Sequence, residues 1–333
     1  MFRFAVLGTG RIGDMHAKII DSLSDAEVTW CYDIDIDRAK ITAKSVSAKF
    51  TNDISEVFKA NNFDAVLIAS LTNTHVELIL KSAECGKPIL CEKPIDVDIN
   101  KVELCKKELL KYNVPIQIGF NRRFDPSHKY VKDSVQNGKI GDLELLVITS
   151  RDPGPPPPRQ ILEACGGLFR DTTIHDFDMA RYILKEEPTE IFAMASNLVD
   201  PIFAELNDFD TAMIVMKTQS GSMCHINNSR RTNYGYDQRV EAFGKDGMVQ
   251  SNNLRPKEIS IYNDKATDQQ DLLLWFFIER YKEAYQAEIV DFIENIKNND
   301  KPSVTFEDGR RALILANTAY ESLEAGKAIY VKY

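Results

Sequence analysis

The order of apolar and polar positions divides the chain into two patterns that meet near residue 120. Before it, FRFAVLG (2–8), EVTWCYD (27–33), FDAVLIAS (63–70), PILCEKPI (88–95) and VPIQIGF (114–120) are short apolar runs. Such runs suit strands covered on both faces in a parallel sheet. Between them lie helix-like stretches, MHAKIIDSL, LTNTHVELILKSAECG and NKVELCKKELLKYN. Alternating strands and helices predict a doubly wound α/β domain, a Rossmann-type parallel sheet, over residues 1–120.

Beyond residue 120 the rhythm changes. LELLVITSRDP begins a different kind of strand, and from residue 190 EIFAMASNLV, DTAMIVMKTQ, GSMCHINNSR, QRVEAFGKDG and EISIYN follow with turn signals between them. Successive strands without intervening helices predict a large, mostly antiparallel sheet with one face on a core and one face open. Residues 121–333 therefore read as one α+β domain for substrate binding and oligomerisation. Its last two helical stretches, 275–298 and 306–326, carry apolar stripes and read as scaffold.

Composition narrows the partners. With 333 residues, a net charge of −9 and no run of Lys and Arg, the chain suits two domains and small-molecule ligands rather than nucleic acid. The absence of a leader-like N-terminus and of a bilayer-length apolar run predicts no membrane contact and a cytoplasmic location. The six cysteines (31, 85, 91, 105, 165 and 224) show no metal-ligand spacing and read as reduced thiols.

The first strand ends in GTGRIG, so Gly8, Gly10 and Gly13 fill a G-x-G-x-x-G spacing. This combines a tight turn, close backbone approach to a pyrophosphate and close helix packing. Arg11, Ile12 and, beside Asp33, Ile34 belong to the same candidate cofactor set. Asp33 ends the second strand about twenty residues after the last glycine, where a carboxylate accepts from ribose hydroxyls and repels a 2′-phosphate. That predicts NAD. Arg38 is the one feature that keeps NADP open, although a solvated helix residue explains it too.

At the carboxyl ends of the next strands, Ser70, Leu71, Thr72 and His75 should line the nicotinamide side, with His75 a cap or cofactor contact. Glu92 and Lys93 end the following strand, and Pro94 stops it, which aims Lys93 into the same cleft; a snorkelling strand-end lysine is the plain alternative. Arg122 and Arg123 stand at the mouth of the sheet. The four prolines 155–158 form a stiff loop that suits a lid, a subunit contact or a surface spacer. Tyr234 and Tyr236 flank a glycine and are candidate donors to a polyhydroxylated ligand.

GGLFRDTTIHDFDMARYIL (166–184) reads as one helix, on which Asp171 and His175 lie four apart on one face. A carboxylate beside an imidazole is a proton-transfer pair. A metal on the same two residues has no evident third ligand.

Together GTGRIG, Asp33, CEKP, GFNRRFD and the D-x-x-x-H of residues 171–175 resemble the Gfo/Idh/MocA family of oxidoreductases, and within it the inositol 2-dehydrogenases, over nearly the whole chain. The resemblance implies NAD-dependent oxidation of a cyclic polyol, myo-inositol to 2-keto-myo-inositol (scyllo-inosose). It implies Lys93, Asp171 and His175 as catalytic residues, and Asp178, with Arg122, Arg123, Asp152 and Tyr234, at the substrate. No metal is implied. A homotetramer built through the open sheet is. Oxidation of scyllo-inositol or an aldose, or a non-catalytic NAD-binding sensor, are the alternatives.

Overall fold

Each apolar run of the first 120 residues forms a parallel strand. In the computed structural model, which describes residues 1–154 and 157–333, these are β1 (Phe2–Leu7), β2 (Ala26–Tyr32), β3 (Lys49–Thr51), β4 (Ala65–Ile68), β5 (Ile89–Glu92) and β6 (Ile116–Gly119). They stand in the order β3-β2-β1-β4-β5-β6, which reverses direction at β1 and β4 as in a doubly wound dinucleotide-binding sheet. β3, only three residues long and mostly exposed, carries too little apolar signal to be read from the sequence. The helices α1 (Arg11–Ser22), α2 (Ile36–Ser45), α3 (Ile54–Ala60), α4 (His75–Glu84) and α5 (Ile99–Leu109) connect them. Asp35, Asp53 and Asp98 cap α2, α3 and α5 by accepting from first-turn N–H groups. α1 differs: Gly10 occupies its cap position and offers no side-chain acceptor.

The second pattern begins with α6 (Pro126–Gln136), β7 (Leu143–Arg151), α7 (Arg159–Ala164), α8 (Leu168–Asp171), α9 (Ile174–Leu184), β8 (Pro188–Ser196) and α10 (Pro201–Glu205). It continues through β9 (Thr211–Thr218), β10 (Met223–Ser229), β11 (Asp237–Gly244), β12 (Gly247–Ser251), β13 (Ser260–Ile261) and β14 (Gln269–Gln270). The chain ends with α11 (Phe277–Arg280), α12 (Lys282–Asn298), α13 (Phe306–Ala325) and β15 (Ile329–Tyr330). Seven strands form one sheet in the order β12-β11-β7-β10-β9-β8-β15. Its ladders are antiparallel except for β7 with β10, which run parallel. The stretch EISIYN contributes only β13, which pairs with β14 in a separate hairpin rather than extending this sheet.

One face of the seven-stranded sheet is the core. Ala212, Ile214 and Met216 of β9 are buried with Phe177, Ala180 and Ile183 of α9 and Leu315 and Ala319 of α13. The alternate positions Met213 and Val215, with Leu145, Met194 and Met223, remain exposed, so strand alternation puts an apolar set on both faces.

The chain divides into two units: residues 1–121 with 285–313, and residues 122–284 with 314–333. The expected division into 1–120 and 121–333 thus needs a correction, because residues 285–313 return to the first unit. Ile289, Phe292 and Ile293 of α12 share a core with Phe4, Val6 and Leu67 of the parallel sheet, and Ile118 N–H donates to Val304 O. An apolar stripe states that a helix packs, not against which sheet.

Gly13 is where α1 meets the β1 turn most closely, since a Cβ there would lie 1.8 Å from the carbonyl oxygen of Gly8. Gly13→Ala is expected to cost about 1–3 kcal/mol, the usual range for overpacking, and to weaken NADH binding. Denaturant unfolding and a fluorescence titration check this; a variant matching the parent in both would show that the contact is not needed.

Candidate active site

In the first unit the glycine motif has the geometry its spacing suggests. Gly8 has φ +93°, and a Cβ on it would stand 2.4 Å from the Ser70 nitrogen, so no other residue fits between β1 and the loop after β4. A Cβ on Gly10, in contrast, would meet nothing within 4 Å. The open space lies at the uncapped N-terminus of α1, where Arg11, Ile12 and Gly13 form the first turn. The helix dipole and room for a close approach together suit a pyrophosphate.

Asp33 is set up before any ligand arrives. Its Oδ2 accepts from Thr9 N–H at 2.8 Å and its Oδ1 from Asp35 N–H at 2.9 Å. The carboxylate is thereby aimed across the end of β2, with lone pairs left for ribose hydroxyls. The exposed Ile34 flanks it. Arg38 pairs with Asp35 at 3.2 Å on an exposed helix face, as a solvated helix residue does. Thr9 lies inside the glycine motif at a variable position, so only the folded contact with Asp33 reveals it.

Ser70 Oγ and Thr74 Oγ1 are 2.7 Å apart, closing the loop that carries Leu71 and Thr72. His75, expected as a cap or cofactor contact, is the first residue of α4. It is buried, with Nδ1 2.8 Å from Pro94 O and Nε2 3.1 Å from Ser70 O. A neutral ring donates to one of these carbonyls, and burial lowers its pKa. It therefore brackets the loops after β4 and β5. Glu92, also expected in the cofactor set, turns its carboxylate to the buried His16, Oε1 to Nε2 2.7 Å. Lys93 follows at the end of β5, and the Lys93–Pro94 peptide is cis.

The second unit holds the acid–imidazole pair. The single helix expected over this stretch is in fact two, α8 and α9, separated by Thr172 and Thr173. Asp171 thus ends one helix and His175 sits in the first turn of the next, a correction to the i, i+4 pairing on a continuous face. Thr173 is the physical reason. Its Oγ1 bonds Leu168 O and Asn228 Oδ1, and its N–H also reaches back to Leu168 O, a wider turn than an α-helix makes. Along residues 171–180 only Asp171 and His175 escape burial. Asp171 also faces the buried Arg230, Nη1 to Oδ2 3.9 Å.

Asp152, bonded through its N–H to Ser229 O, joins the same group. Burial pushes its carboxyl up to about 6; Arg230 and Arg122 oppose the shift, and Asp171 and Asp176 add to it.

Arg122, Arg123 and Asp178, expected at the substrate, are paired with carboxylates or guanidiniums of the same unit. Arg122 Nη1 donates to Asp176 Oδ1 at 2.7 Å, and its fork also reaches Ser150 and Tyr236. Arg123 makes a two-point pair with Asp178, at 2.8 and 2.6 Å. All four side chains are buried, so they fasten α9 to the turn after residue 120. Two arginines followed at a distance by acids spaced two apart could have suggested this pairing. Tyr234 donates to Asp237 Oδ2 and accepts from Arg151, in a half-exposed cluster. Tyr236 is the tyrosine that joins the Arg122 network, because Gly235, at φ +110°, turns the chain between them. Pro155 and Pro156 lie outside the described residues; Pro158 precedes α7.

Among the described residues, the one group whose spacing suits a metal is His16, Glu92 and Glu288, not Asp171 and His175. No helix of the described residues is long and apolar enough to cross a membrane.

Comparison with known proteins agrees with both halves. A family model described as an oxidoreductase family with an NAD-binding Rossmann fold matches residues 2–120, and one for the GFO/IDH/MocA C-terminal domain matches residues 128–250. A protein named myo-inositol 2-dehydrogenase from Thermotoga maritima is 42% identical over 328 residues, covering 98% of each chain. An inositol 2-dehydrogenase from Rhizobium meliloti is 40% identical over 99% of each. The solved myo-inositol dehydrogenase of Corynebacterium glutamicum matches with a TM-score of 0.96 at 41% identity, over 100% of this chain and 99% of its own. A scyllo-inositol dehydrogenase from Lactobacillus casei, solved with NAD(H) and scyllo-inositol, matches at 0.92 and 26% identity, over 99% and 98%. With its parallel sheet, its glycine turn and both domains matched along the whole length, the chain belongs to the Gfo/Idh/MocA family of NAD-binding oxidoreductases.

Proposed function

We propose that the chain is an NAD-dependent inositol 2-dehydrogenase that oxidises myo-inositol to 2-keto-myo-inositol. The observation that carries the reading is the pair Asp171 and His175, open on an otherwise buried segment, in a chain alike over its full length to inositol dehydrogenases.

The cofactor, when bound, accepts a hydride at C4 of its nicotinamide. The first turn of α1 would hold the phosphates and Asp33 the ribose hydroxyls, which favours NAD over NADP. Neutral His175 takes the hydroxyl proton as the carbon loses hydride, since a bare alkoxide in a dry site is costly. Lys93 donates a hydrogen bond to the same oxygen and stabilises its developing charge. Asp171 orients the imidazole and stabilises the imidazolium, with Arg230 holding Asp171 in turn. Asp152 accepts from a hydroxyl away from the reacting carbon. Cytoplasmic location fits the reduced cysteines. The exposed apolar face with Met194, Met213 and Val215 is the interface of a homotetramer.

Scyllo-inositol is the second reading, because relatives bearing that name also match over 98–99% of the chain. NADH formation with myo-inositol, scyllo-inositol and glucose separates the readings; turnover of myo-inositol above both others is expected, and none with any polyol would defeat the proposal. His175→Ala should lower kcat by about 10²–10⁴-fold with NADH binding intact; retention of a tenth of the activity would remove His175 from the base role. Asp152 accepts from a hydroxyl more strongly when ionised than when protonated, so KM for inositol should rise as pH falls below about 6, and an Asp152→Asn variant should lack that dependence. In sedimentation, Val215→Glu should convert the tetramer to a smaller species; an unchanged mass would place the interface elsewhere.

A further inference from the structure

Behind the strand end that carries Lys93, the first unit buries a cluster of titratable groups that the chemistry above does not use. His16 of α1 is bonded to Glu92 at 2.7 Å. Glu288 of α12 is fully buried, and one nitrogen or oxygen atom from each of the three side chains lies within 4.8 Å of the other two. Among the described residues, neither side-chain oxygen of Glu288 has a hydrogen-bonding partner. Glu92 is walled on a further side by Gly119, its partner in the ladder, where a Cβ would come 3.1 Å from the Glu92 Cα and Oε2. Tyr285 stands edge-on to the His16 ring at 5.4 Å.

An ionised Glu288 would be a second anion beside Glu92, sealed from water with no donor aimed at it. With its proton on, it becomes a donor facing an acceptor. Burial, with Glu92 and Asp291 nearby, drives the Glu288 carboxyl well above the usual carboxylate range. The ionisable groups that face it are His16 from α1, Glu92 from β5 and Asp291 from its own helix; β6 contributes the neutral Gln117, whose Nε2 donates to Glu288 O at 3.3 Å. A metal ion fits this geometry less well. His16 Nε2 and Glu92 Oε1 stand at hydrogen-bond distance, whereas two ligands of one tetrahedral zinc sit about 3.3 Å apart.

We propose that His16, Glu92 and a Glu288 that carries its proton form a positioning cluster. His16 and Glu288 grip the Glu92 carboxylate from two sides and thereby fix the end of β5, and with it Lys93, against the helix that receives the cofactor phosphates. The proposal rests on the role given to Lys93 above.

Glu288→Gln tests it, because glutamine keeps the shape and the neutral donor. At neutral pH its kcat, its KM for inositol and its NADH affinity should stay within about twofold of the parent. The parent should lose kcat on the alkaline side as Glu288 ionises beside Glu92, and in Glu288→Gln that loss should move to higher pH. Glu288→Ala should lower kcat by as much as about a hundredfold, the order expected when a catalytic group is misplaced by about an ångström, with NADH affinity little changed. A Gln variant as impaired as the Ala variant, or an alkaline limb unchanged in Glu288→Gln, would overturn the proposal; if the Ala variant does not fold, the Gln pH profile decides. Stoichiometric zinc in the parent that is lost from Glu288→Gln would replace the cluster by a metal centre. Lys93→Met separates the two readings. Full activity in that variant defeats the lysine role itself, whereas an inactive Lys93→Met beside a fully active Glu288→Ala defeats the cluster alone.

Discussion

Burial of two guanidiniums under one helix is the constraint on which the second unit depends. Arg122 and Arg123 are adjacent in the chain and neither reaches much water, so each needs a carboxylate at hydrogen-bonding distance. α9 supplies both, Asp176 and Asp178. Removing one partner of such a pair leaves an uncompensated buried charge and costs about 3–5 kcal/mol. The requirement fixes the position and rotation of α9. Asp176 also accepts from Asn228 Nδ2, and Asn228 in turn accepts from Thr173. The break between Asp171 and His175 is therefore tied to the same ion pairs, and these two residues inherit their placement from charges paired inside the unit.

The first unit achieves preorganisation by steric exclusion. Gly8 and Gly13 are sites where a single methyl group would strike backbone, while Gly10 borders open space. Three glycines in one motif thus act for two different reasons: two allow the chain to approach itself, and one lets a ligand approach the chain. Asp33 and His75 complete the arrangement through contacts with main-chain groups, Thr9 and Asp35 for the first, Pro94 and Ser70 for the second. Main-chain partners vary little with side-chain motion, so the cost of ordering the loops is met in folding and not on binding.

Much of this was legible in the residues. The strand and helix alternation, the sheet class of each half, the glycine motif with Asp33, and the presence of Asp171 and His175 on a helical stretch all depend on local pattern. What the local pattern did not show depended on distance in the sequence. Arg122 with Asp176, Glu92 with His16, Tyr236 in place of Tyr234, and the return of residues 285–313 to the first unit join positions tens to hundreds of residues apart. The threonine break between Asp171 and His175 belongs with these, because Thr173 takes its second partner from β10.

The sequence by itself determined which segments become strands and helices and which chemical groups are available, since periodicity and residue type are properties of neighbours along the chain. Only the tertiary structure decided which of those groups face a ligand and which are paired inside. A buried charge takes its partner from whatever element packs on it, and packing is set by the whole core.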